Sequence, residues 1–118
     1  DPGIHYLVAL ENGEAAGFAS VHIQHLLHHG GKIAELQEIV VAESRRGQGI
    51  GSRLFEQAAQ WGRAQGMRQM KIESQNNNVR AAHFYAGKGA VLGAMNTHAY
   101  QDEPEVAEEI QLIWYLDL

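Results

Sequence analysis

The chain has 118 residues, of which 45% are hydrophobic, a size and composition typical of one globular domain. No apolar run approaches the roughly 20 residues that a membrane helix needs, and the N-terminus has no signal pattern. Cysteine is absent, which excludes disulfides, thiolate metal sites and cysteine nucleophiles. We therefore expect a single domain over residues 1–118 that is cytoplasmic and does not bind membranes.

The net charge of −5 is unevenly distributed along the chain. Residues 45–88 contain eight Lys or Arg and two Glu, whereas the remainder contains one Lys and twelve acidic residues. A basic middle in an acidic protein indicates a small polyanionic ligand, because nucleic-acid-binding domains are usually basic over a broad face. The alternative is that these side chains only solvate helix surfaces.

In the first half of the chain, the pattern predicts three strands, at residues 5–10, 15–24 and 33–42. Between the first two strands, Asn12-Gly13 predicts a hairpin turn. The third strand loses its alternation between Leu36 and Ile39. This phase slip predicts either a β-bulge or a strand end that is buried on both faces.

In the second half, the pattern predicts a helix, a strand, a helix and two strands, at residues 51–65, 69–74, 79–85, 90–100 and 107–116. The first helix has a face of apolar or small residues at helical spacing, namely Leu54, Phe55, Ala58, Ala59 and Gly62. We expect Gly66 to end this helix, and Gly87 and Gly89 to end the second. The order β-β-β-α-β-α-β-β predicts an α/β domain with a mixed sheet.

Three glycines, at positions 47, 49 and 51, lie between the third strand and the first helix. Glycine allows a tight turn and close backbone approach to a ligand, and the amides of a helix N-terminus attract anions. Arg45 and Arg46 add positive charge. The spacing matches neither a Walker A loop nor a dinucleotide fingerprint. The turn therefore indicates an anion site of another kind, or else a turn without a ligand.

Here the chain resembles the GNAT N-acetyltransferase superfamily. The pyrophosphate motif of that family, Gln/Arg-x-x-Gly-x-Gly/Ala, is met by Arg46, Gly49 and Gly51. A second family pattern, Asn-x-x-Ala-x-x-Phe-Tyr, is met by Asn78, Ala81, Phe84 and Tyr85. The resemblance implies the GNAT acyl-CoA N-acyltransferase fold, with acetyl-CoA as co-substrate and an amine as acceptor.

The resemblance also implies roles for particular residues. The cofactor-binding residues would be Ile39, Val40, Val41, Arg46, Gly47, Gln48, Gly49, Ile50, Gly51, Ser52, Asn78 and Tyr85. Tyr85 occupies the general-acid position, which we favour over the alternative of a core tyrosine. Asn78 would hydrogen-bond the cofactor arm, and the alternative is a helix cap. Glu38 is our first choice of general base and Glu35 the alternate; either carboxylate could be merely solvated.

Two narrower resemblances concern the acceptor. Residues 1–54 are similar to bacterial aminoalkylphosphonate N-acetyltransferases, and the C-terminal end is similar to streptothricin acetyltransferases. Relative to the family, the N-terminal strand and helices that help to build the acceptor site are expected to be missing. Ala90 also replaces a family Phe. Many family members dimerise, so we expect a homodimer.

Four histidines cluster at positions 22, 25, 28 and 29. Metal binding is one interpretation, but we expect no metal, because the two that are four residues apart would share a face only on a helix. Contact between His22 or His28 and the acceptor is the alternative. The sequence thus predicts transfer of an acetyl group to a primary amine of a small molecule. The alternatives are a non-catalytic acetyl-CoA-binding module and a protein or peptide N-acetyltransferase.

Overall fold

The computed structural model describes residues 3–25, 32–75, 79–96 and 110–118. Within these ranges the strands are β1 (Ile4–Glu11), β2 (Glu14–His25), β3 (Lys32–Val41), β4 (Gln69–Gln75), β5 (Val91–Asn96) and β6 (Gln111–Asp117). The helices are α1 (Ile50–Ala64), α2 (Val79–Gly87) and a one-turn 3-10 helix, Glu43–Arg45. The predicted order of strands and α-helices is confirmed, and so is the α/β class with a mixed six-stranded sheet. No helix in the described ranges is long and apolar enough to cross a membrane.

The chain divides into two compact units. The first comprises Asp1–Met70 with Leu118, and the second comprises Lys71–Asp117. In the first unit the strand order is β1-β2-β3, with both pairs antiparallel. In the second it is β4-β6-β5, with β5 and β6 antiparallel. That residues 1–118 form a single domain stays a prediction.

The turn between β1 and β2 is the hairpin that Asn12-Gly13 predicts. Glu11 and Glu14 form the last pair of the ladder, so the loop has two residues. Their φ angles are 54° at Asn12 and 81° at Gly13. Positive φ at both central residues is characteristic of a type I′ turn, which matches the twist of the flanking strands.

The irregularity predicted in the third strand is a β-bulge. Leu36 is opposite Val21 and Glu38 is opposite Ser20, so Gln37 is an extra residue between consecutive pairs. Because strand side chains alternate between faces, one extra residue reverses the phase of all that follow. This explains why Leu36 and Ile39 both point to the same side.

Helix α1 buries the predicted face. Its buried residues are Leu54, Phe55, Ala58, Ala59 and Gly62. Gly66, with φ 83°, ends the helix as predicted, and the amide of Met67 donates to the Gly62 carbonyl at 2.9 Å. This is the hydrogen-bond pattern of a Schellman motif. The helix covers β1 to β3 closely enough that a Cβ on Gly17 would lie 3.2 Å from Leu54 Cδ1.

In the second unit, α2 extends two residues beyond the predicted end. The helix ends at Gly87, within the pair of glycines that were predicted to end it. Gly89, with φ 91°, supplies the left-handed turn, and the Ala90 amide donates to the Tyr85 carbonyl at 3.1 Å. Only a residue without Cβ adopts that φ at little cost, so the second of the two glycines is the stop.

The last two strands are shorter in the described ranges than predicted. Residues 97–109 lie outside those ranges, and with them parts of both predicted strands. Ile110 precedes β6 rather than belonging to it. In β5, the register shifts between Leu92 and Ala94, which leaves Gly93 as a bulge residue. A Cβ on Gly93 would lie 2.4 Å from the Tyr115 ring, so the close approach requires glycine there.

Candidate functional site

The glycine turn begins directly after β3 and the one-turn helix. Gly47 and Gly49 have φ angles of 80° and 81°, in the left-handed region. A Cβ on either residue would have no neighbouring atom within 4 Å. Backbone conformation, not crowding by the rest of the chain, is therefore the reason for glycine at both positions. The backbone of the turn is therefore exposed, with no neighbouring side chains to prevent a ligand from approaching it.

Gly49 is also the N-cap of α1. No side chain caps this helix end, and its first turn has no acidic residue. The first intrahelical bond is from the Arg53 amide to the Gly49 carbonyl, at 3.1 Å. The preceding amides, of Ile50, Gly51 and Ser52, have no carbonyl within the helix to bind. Together with the helix dipole, they form a site suited to an anion.

The two arginines before the turn have different surroundings. Arg46 is exposed, and its Nε donates to the Val41 carbonyl at 3.4 Å. Arg45 instead pairs with two carboxylates of the β1–β2 hairpin, Glu11 at 3.0 Å and Glu14 at 3.4 Å. The expectation that both arginines add charge to the turn was therefore wrong for Arg45, whose charge is balanced by the hairpin. Arg46 is the arginine that an anion at the turn can recruit.

A cavity of about 420 Å³ lies beside the turn, against the hairpin. Its lining includes Gln48 and Ile50 from the turn and Arg53 from α1. It also includes Leu10 and Glu11 of β1. Gln48 is exposed and lines this cavity, whereas Arg46, which is also exposed, does not line it.

The residues predicted to contact the acyl arm occupy the end of β3, immediately before the turn. Ile39 and Val41 lie opposite Ala19 and Gly17 of β2. Because Gly17 faces α1, these two side chains also face the helix. Val40 points the other way and is 45% exposed. The backbone of residues 39–41 thus leads directly into the glycine turn, while the side chains of Ile39 and Val41 lie on the face that α1 covers.

Glu38 precedes this segment and points away from α1, opposite Ser20. Its side chain is exposed. Glu35 is buried, with 7% of its surface exposed, and it accepts a hydrogen bond from the Gln24 side-chain amide. A buried carboxylate needs such donors, because its desolvation is costly. The exposed carboxylate is thus the better placed of the two to exchange protons with a ligand or with water.

Tyr85 belongs to the second unit, on α2, and is 8% exposed. Its ring packs edge-on against Phe84 and lies 6.5 Å from the Trp114 ring, centroid to centroid. The Trp114 Nε1 donates to Ser74 Oγ at 2.9 Å. Burial raises the pKa of the Tyr85 phenol above its usual value of 10.0. The phenol therefore stays protonated at neutral pH.

Several residues singled out from the sequence lie outside the described residues, namely Asn78, His28 and His29. His22 lies on β2, opposite Glu35. Among the described residues, no group of three His, Asp or Glu side chains could hold a metal ion.

Three contacts were not predicted from the sequence: Arg45 with the hairpin, Gln24 with Glu35, and Trp114 with Ser74. The residues that they join are between 11 and 40 positions apart in the chain. The Asn12-Gly13 turn could have suggested the first, because it fixes where Glu11 and Glu14 lie.

The chain thus combines an α/β fold with a glycine turn between a strand and a helix that is suited to an anion. The chain belongs to the acetyltransferase (GNAT) family, whose model matches residues 1–90.

Individual relatives are similar over most of the chain. It is 40% identical to the aminoalkylphosphonate N-acetyltransferase of Salmonella typhimurium over 89 residues, which cover 75% of this chain and 58% of that protein. It is 34% identical to the streptothricin acetyltransferase of Escherichia coli over 83 residues, which cover 70% of this chain and 48% of that protein. The chain thus spans about half the length of these curated relatives.

A similar solved structure is that of a Bacillus anthracis protein assigned as a streptothricin acetyltransferase, in complex with acetyl coenzyme A. The two superpose with a TM-score of 0.87 at 30% identity, over 100% of this chain and 65% of the other. Both narrower resemblances noted in the sequence are therefore present among the relatives.

Proposed function

We propose that this domain binds acetyl-CoA and transfers its acetyl group to a primary amine of a small molecule. The observation that carries the proposal is the uncapped start of α1 behind Gly47 and Gly49, with Arg46 beside it, in a chain of the GNAT family. A pyrophosphate is the anion that this arrangement would hold, through the turn amides and the Arg46 guanidinium. The acetyl-CoA named for the Bacillus anthracis structure supports the identity of the donor.

Each predicted site residue has a role in this proposal. The side chains and amides from Arg46 to Ser52 hold the pyrophosphate. The backbone from Ile39 to Val41 pairs with the pantetheine arm, and one of its amides polarises the thioester carbonyl as an oxyanion hole does. Asn78 hydrogen-bonds the same arm.

The chemistry is a direct attack in a ternary complex. Glu38 accepts a proton from the acceptor ammonium, directly or through water, and the freed amine nitrogen attacks the thioester carbon. A carbon–nitrogen bond forms, and the carbon–sulfur bond breaks as the tetrahedral intermediate collapses. Tyr85 donates its phenolic proton to the departing thiolate, and the remaining extra proton on the new amide nitrogen returns through solvent to the Tyr85 phenolate. No covalent enzyme intermediate is needed, which is consistent with a chain that has no cysteine.

A thiol-release assay tests the proposal directly. Because the protein has no cysteine, every thiol detected comes from CoA. We expect amine-dependent release with at least one primary amine from a panel that includes aminoalkylphosphonates and streptothricin-type antibiotics. Acetyl-CoA binding without turnover of any amine would favour the non-catalytic binding module instead. A cytoplasmic location and a homodimeric state stay predictions from the sequence, to be measured by fractionation and by light scattering.

A further inference from the structure

Tyr85 lies in the last turn of α2, and two aromatic rings flank its side chain. Its backbone carbonyl accepts hydrogen bonds from the Lys88 and Ala90 amides, both at 3.1 Å, so the end of the helix holds its main chain. Phe84 is edge-on to the Tyr85 ring, with the centroids 5.6 Å apart. Trp114 of β6 is tilted by 51° against the same ring, at 6.5 Å. Because Phe84 belongs to α2 itself, the contact with Trp114 relates the phenol ring to the sheet.

Trp114 is a buried residue with one polar side-chain atom. It is 8% exposed, whereas the other residues of β6 are more accessible. A buried indole N–H is costly to leave without an acceptor. Ser74 Oγ accepts the hydrogen bond from Trp114 Nε1 at 2.9 Å. Rotation of the indole about its side-chain bonds would therefore break this hydrogen bond or change the contact with Tyr85.

Ser74 belongs to another strand. It lies near the end of β4, which is next to β6 in the sheet. The hydrogen bond thus joins neighbouring strands, and the ring contact joins β6 to α2. Ser74, Trp114 and Tyr85 all lie within the second unit, Lys71–Asp117. The orientation of the phenol ring is therefore linked, through one indole, to a hydroxyl on a different element.

We infer that Trp114, held by Ser74, is a positioning residue for proton donation by Tyr85. The inference rests on the proposed function, in which Tyr85 protonates the departing thiolate. A proton donor must lie within hydrogen-bond distance of the atom that it protonates. A displacement of about 1 Å in an active site can cost about a hundredfold in rate. The hydroxyl is at the far end of the ring from the helix backbone, so a small rotation of the ring moves it by that much.

The hydrogen bond distinguishes positioning from simple filling of the core. A tryptophan that only filled the core would need the area of its ring, and an indole N–H could be satisfied there by any acceptor or by water. A tryptophan that orients the phenol needs one fixed acceptor. Variants of Ser74 therefore test the inference, because they alter the acceptor and leave both rings in the protein.

Ser74→Ala removes the acceptor. We expect kcat to fall about tenfold, because the indole turns towards another partner and the phenol ring moves with it. The KM for acetyl-CoA should be nearly unchanged. Ser74→Thr keeps a hydroxyl and suits a strand, so its kcat should be close to that of the parent. A Ser74→Ala variant with the kcat of the parent would overturn the inference.

A double-mutant cycle separates positioning from a general effect on the fold. In the Tyr85→Phe background there is no phenolic proton to position, so Ser74→Ala should lower kcat no further. Non-additive effects of this kind would support the inference. An equal loss of kcat in both backgrounds would mean that Ser74 and Trp114 only support the fold, and would overturn it.

The same two strands offer a matched control. Gln111 Nε2 donates to Glu73 Oε2 at 2.7 Å, which is another side-chain hydrogen bond between β6 and β4. Gln111 and Trp114 are three residues apart on β6, so their side chains point to opposite faces of the sheet. Gln111→Ala should lower the free energy of unfolding, as Ser74→Ala does, but should leave kcat unchanged. A tenfold loss of kcat in Gln111→Ala would overturn the inference, because any weakening between β4 and β6 would then suffice.

Nuclear Overhauser measurements keep this inference separate from the proposed function. Cross-peaks between the labelled rings of Tyr85 and Trp114 report their relative position in the full chain without turnover. We expect these cross-peaks in the parent and in Ser74→Thr, and weaker ones in Ser74→Ala. If no amine is acetylated, the proposed function fails, yet their loss in Ser74→Ala would still support control of the Tyr85 ring by Ser74. Equal intensities in all three proteins would overturn the inference, whether or not the protein turns over.

Discussion

Arg45 Nη1 lies 3.0 Å from Glu11 Oε2, which ties the segment before the glycine turn to the β1–β2 hairpin. Glu14, on the other side of the hairpin turn, contacts the same guanidinium at 3.4 Å. The two arginines of the Arg45-Arg46 pair are therefore divided between two tasks. Arg45 ties the segment before the turn to the hairpin, while the exposed Arg46 is the arginine proposed to bind the pyrophosphate.

Replacing Arg45 and Arg46 separately should reveal this division. Arg45→Ala should lower the free energy of unfolding by about 1 kcal/mol, because the ion pairs are partly exposed, and salt should reduce that loss. Arg46→Ala should leave stability unchanged but weaken acetyl-CoA binding about tenfold or more, since it removes a contact to the phosphate. Urea unfolding and calorimetry measure the two effects. An Arg45→Ala variant that loses as much affinity as Arg46→Ala would contradict the division.

Gly49→Ala should affect stability and ligand binding together. With φ at 81°, an alanine there costs about 1–2 kcal/mol of left-handed strain. Its Cβ would also project into the open space beside the turn, so acetyl-CoA affinity should fall.

Gly66→Ala is a matched control at the other end of the same helix. Gly66 has φ 83° and equally open surroundings, so the loss of stability should be similar. Affinity for acetyl-CoA should not change. If both variants bind acetyl-CoA as the parent does, the turn is only structural.

Gly17→Ala tests the packing of β2 beneath α1. The new Cβ would lie 2.6 Å from the Val40 carbonyl oxygen, a backbone atom that cannot move alone. We expect a loss of about 1–3 kcal/mol, as for overpacked cores. Gly87→Ala is the control, because that residue is helical, exposed and without neighbours within 4 Å. It should stabilise α2 by about 0.5–1 kcal/mol. Thermal unfolding of both variants measures the difference, and a neutral Gly17→Ala would contradict the packing.

Tyr85→Phe should reduce kcat about a hundredfold while acetyl-CoA affinity persists, because it removes the proton donor and keeps the ring. Rapid-mix thiol release and calorimetry separate the two quantities. A variant with unchanged kcat would exclude Tyr85 as the acid.

The stability of the same variant should respond to pH in a defined direction. Burial raises the phenol pKa in the folded protein, so the folded state holds this proton more tightly than the unfolded chain does. The contribution of the protonated Tyr85 phenol to the free energy of unfolding is therefore complete below about pH 10. It is lost as the pH rises through the pKa of the phenol in the folded protein. Tyr85→Phe should lack this alkaline loss of unfolding free energy. If the free energy of unfolding changes with pH in the same way for parent and variant between pH 8 and 11, the result would contradict a buried phenol.

Local features of the fold could be predicted from the sequence. The face of α1 from Leu54 to Gly62 follows from helical spacing, and the bulge beside Gln37 follows from a lost alternation. Asn12-Gly13 specified its turn because few residues tolerate positive φ. The end of α2 was less certain, because two nearby glycines, Gly87 and Gly89, could each serve as the stop.

Features that depend on distant contacts could not be predicted. The carboxylates of the hairpin that pair with Arg45 lie more than thirty positions earlier in the chain. The burial of Glu35 depends on the register of β2 against β3, which the sequence does not specify to one residue. The proposed role of Tyr85 came from family resemblance and that of Glu38 from its position before residues 39–41, because a strand carboxylate and a core tyrosine have many other uses.

The most direct measurement of the central claim compares acetyl-CoA with acetyl-pantetheine, which has the same thioester arm but lacks the pyrophosphate. Calorimetric titration of each into the parent protein should give at least about tenfold tighter binding for acetyl-CoA, because only it has the anion that Gly47, Gly49 and Arg46 would hold. In a variant combining Gly49→Ala with Arg46→Ala, the difference should largely disappear. Equal affinity of the parent protein for both ligands would contradict a pyrophosphate site at this turn.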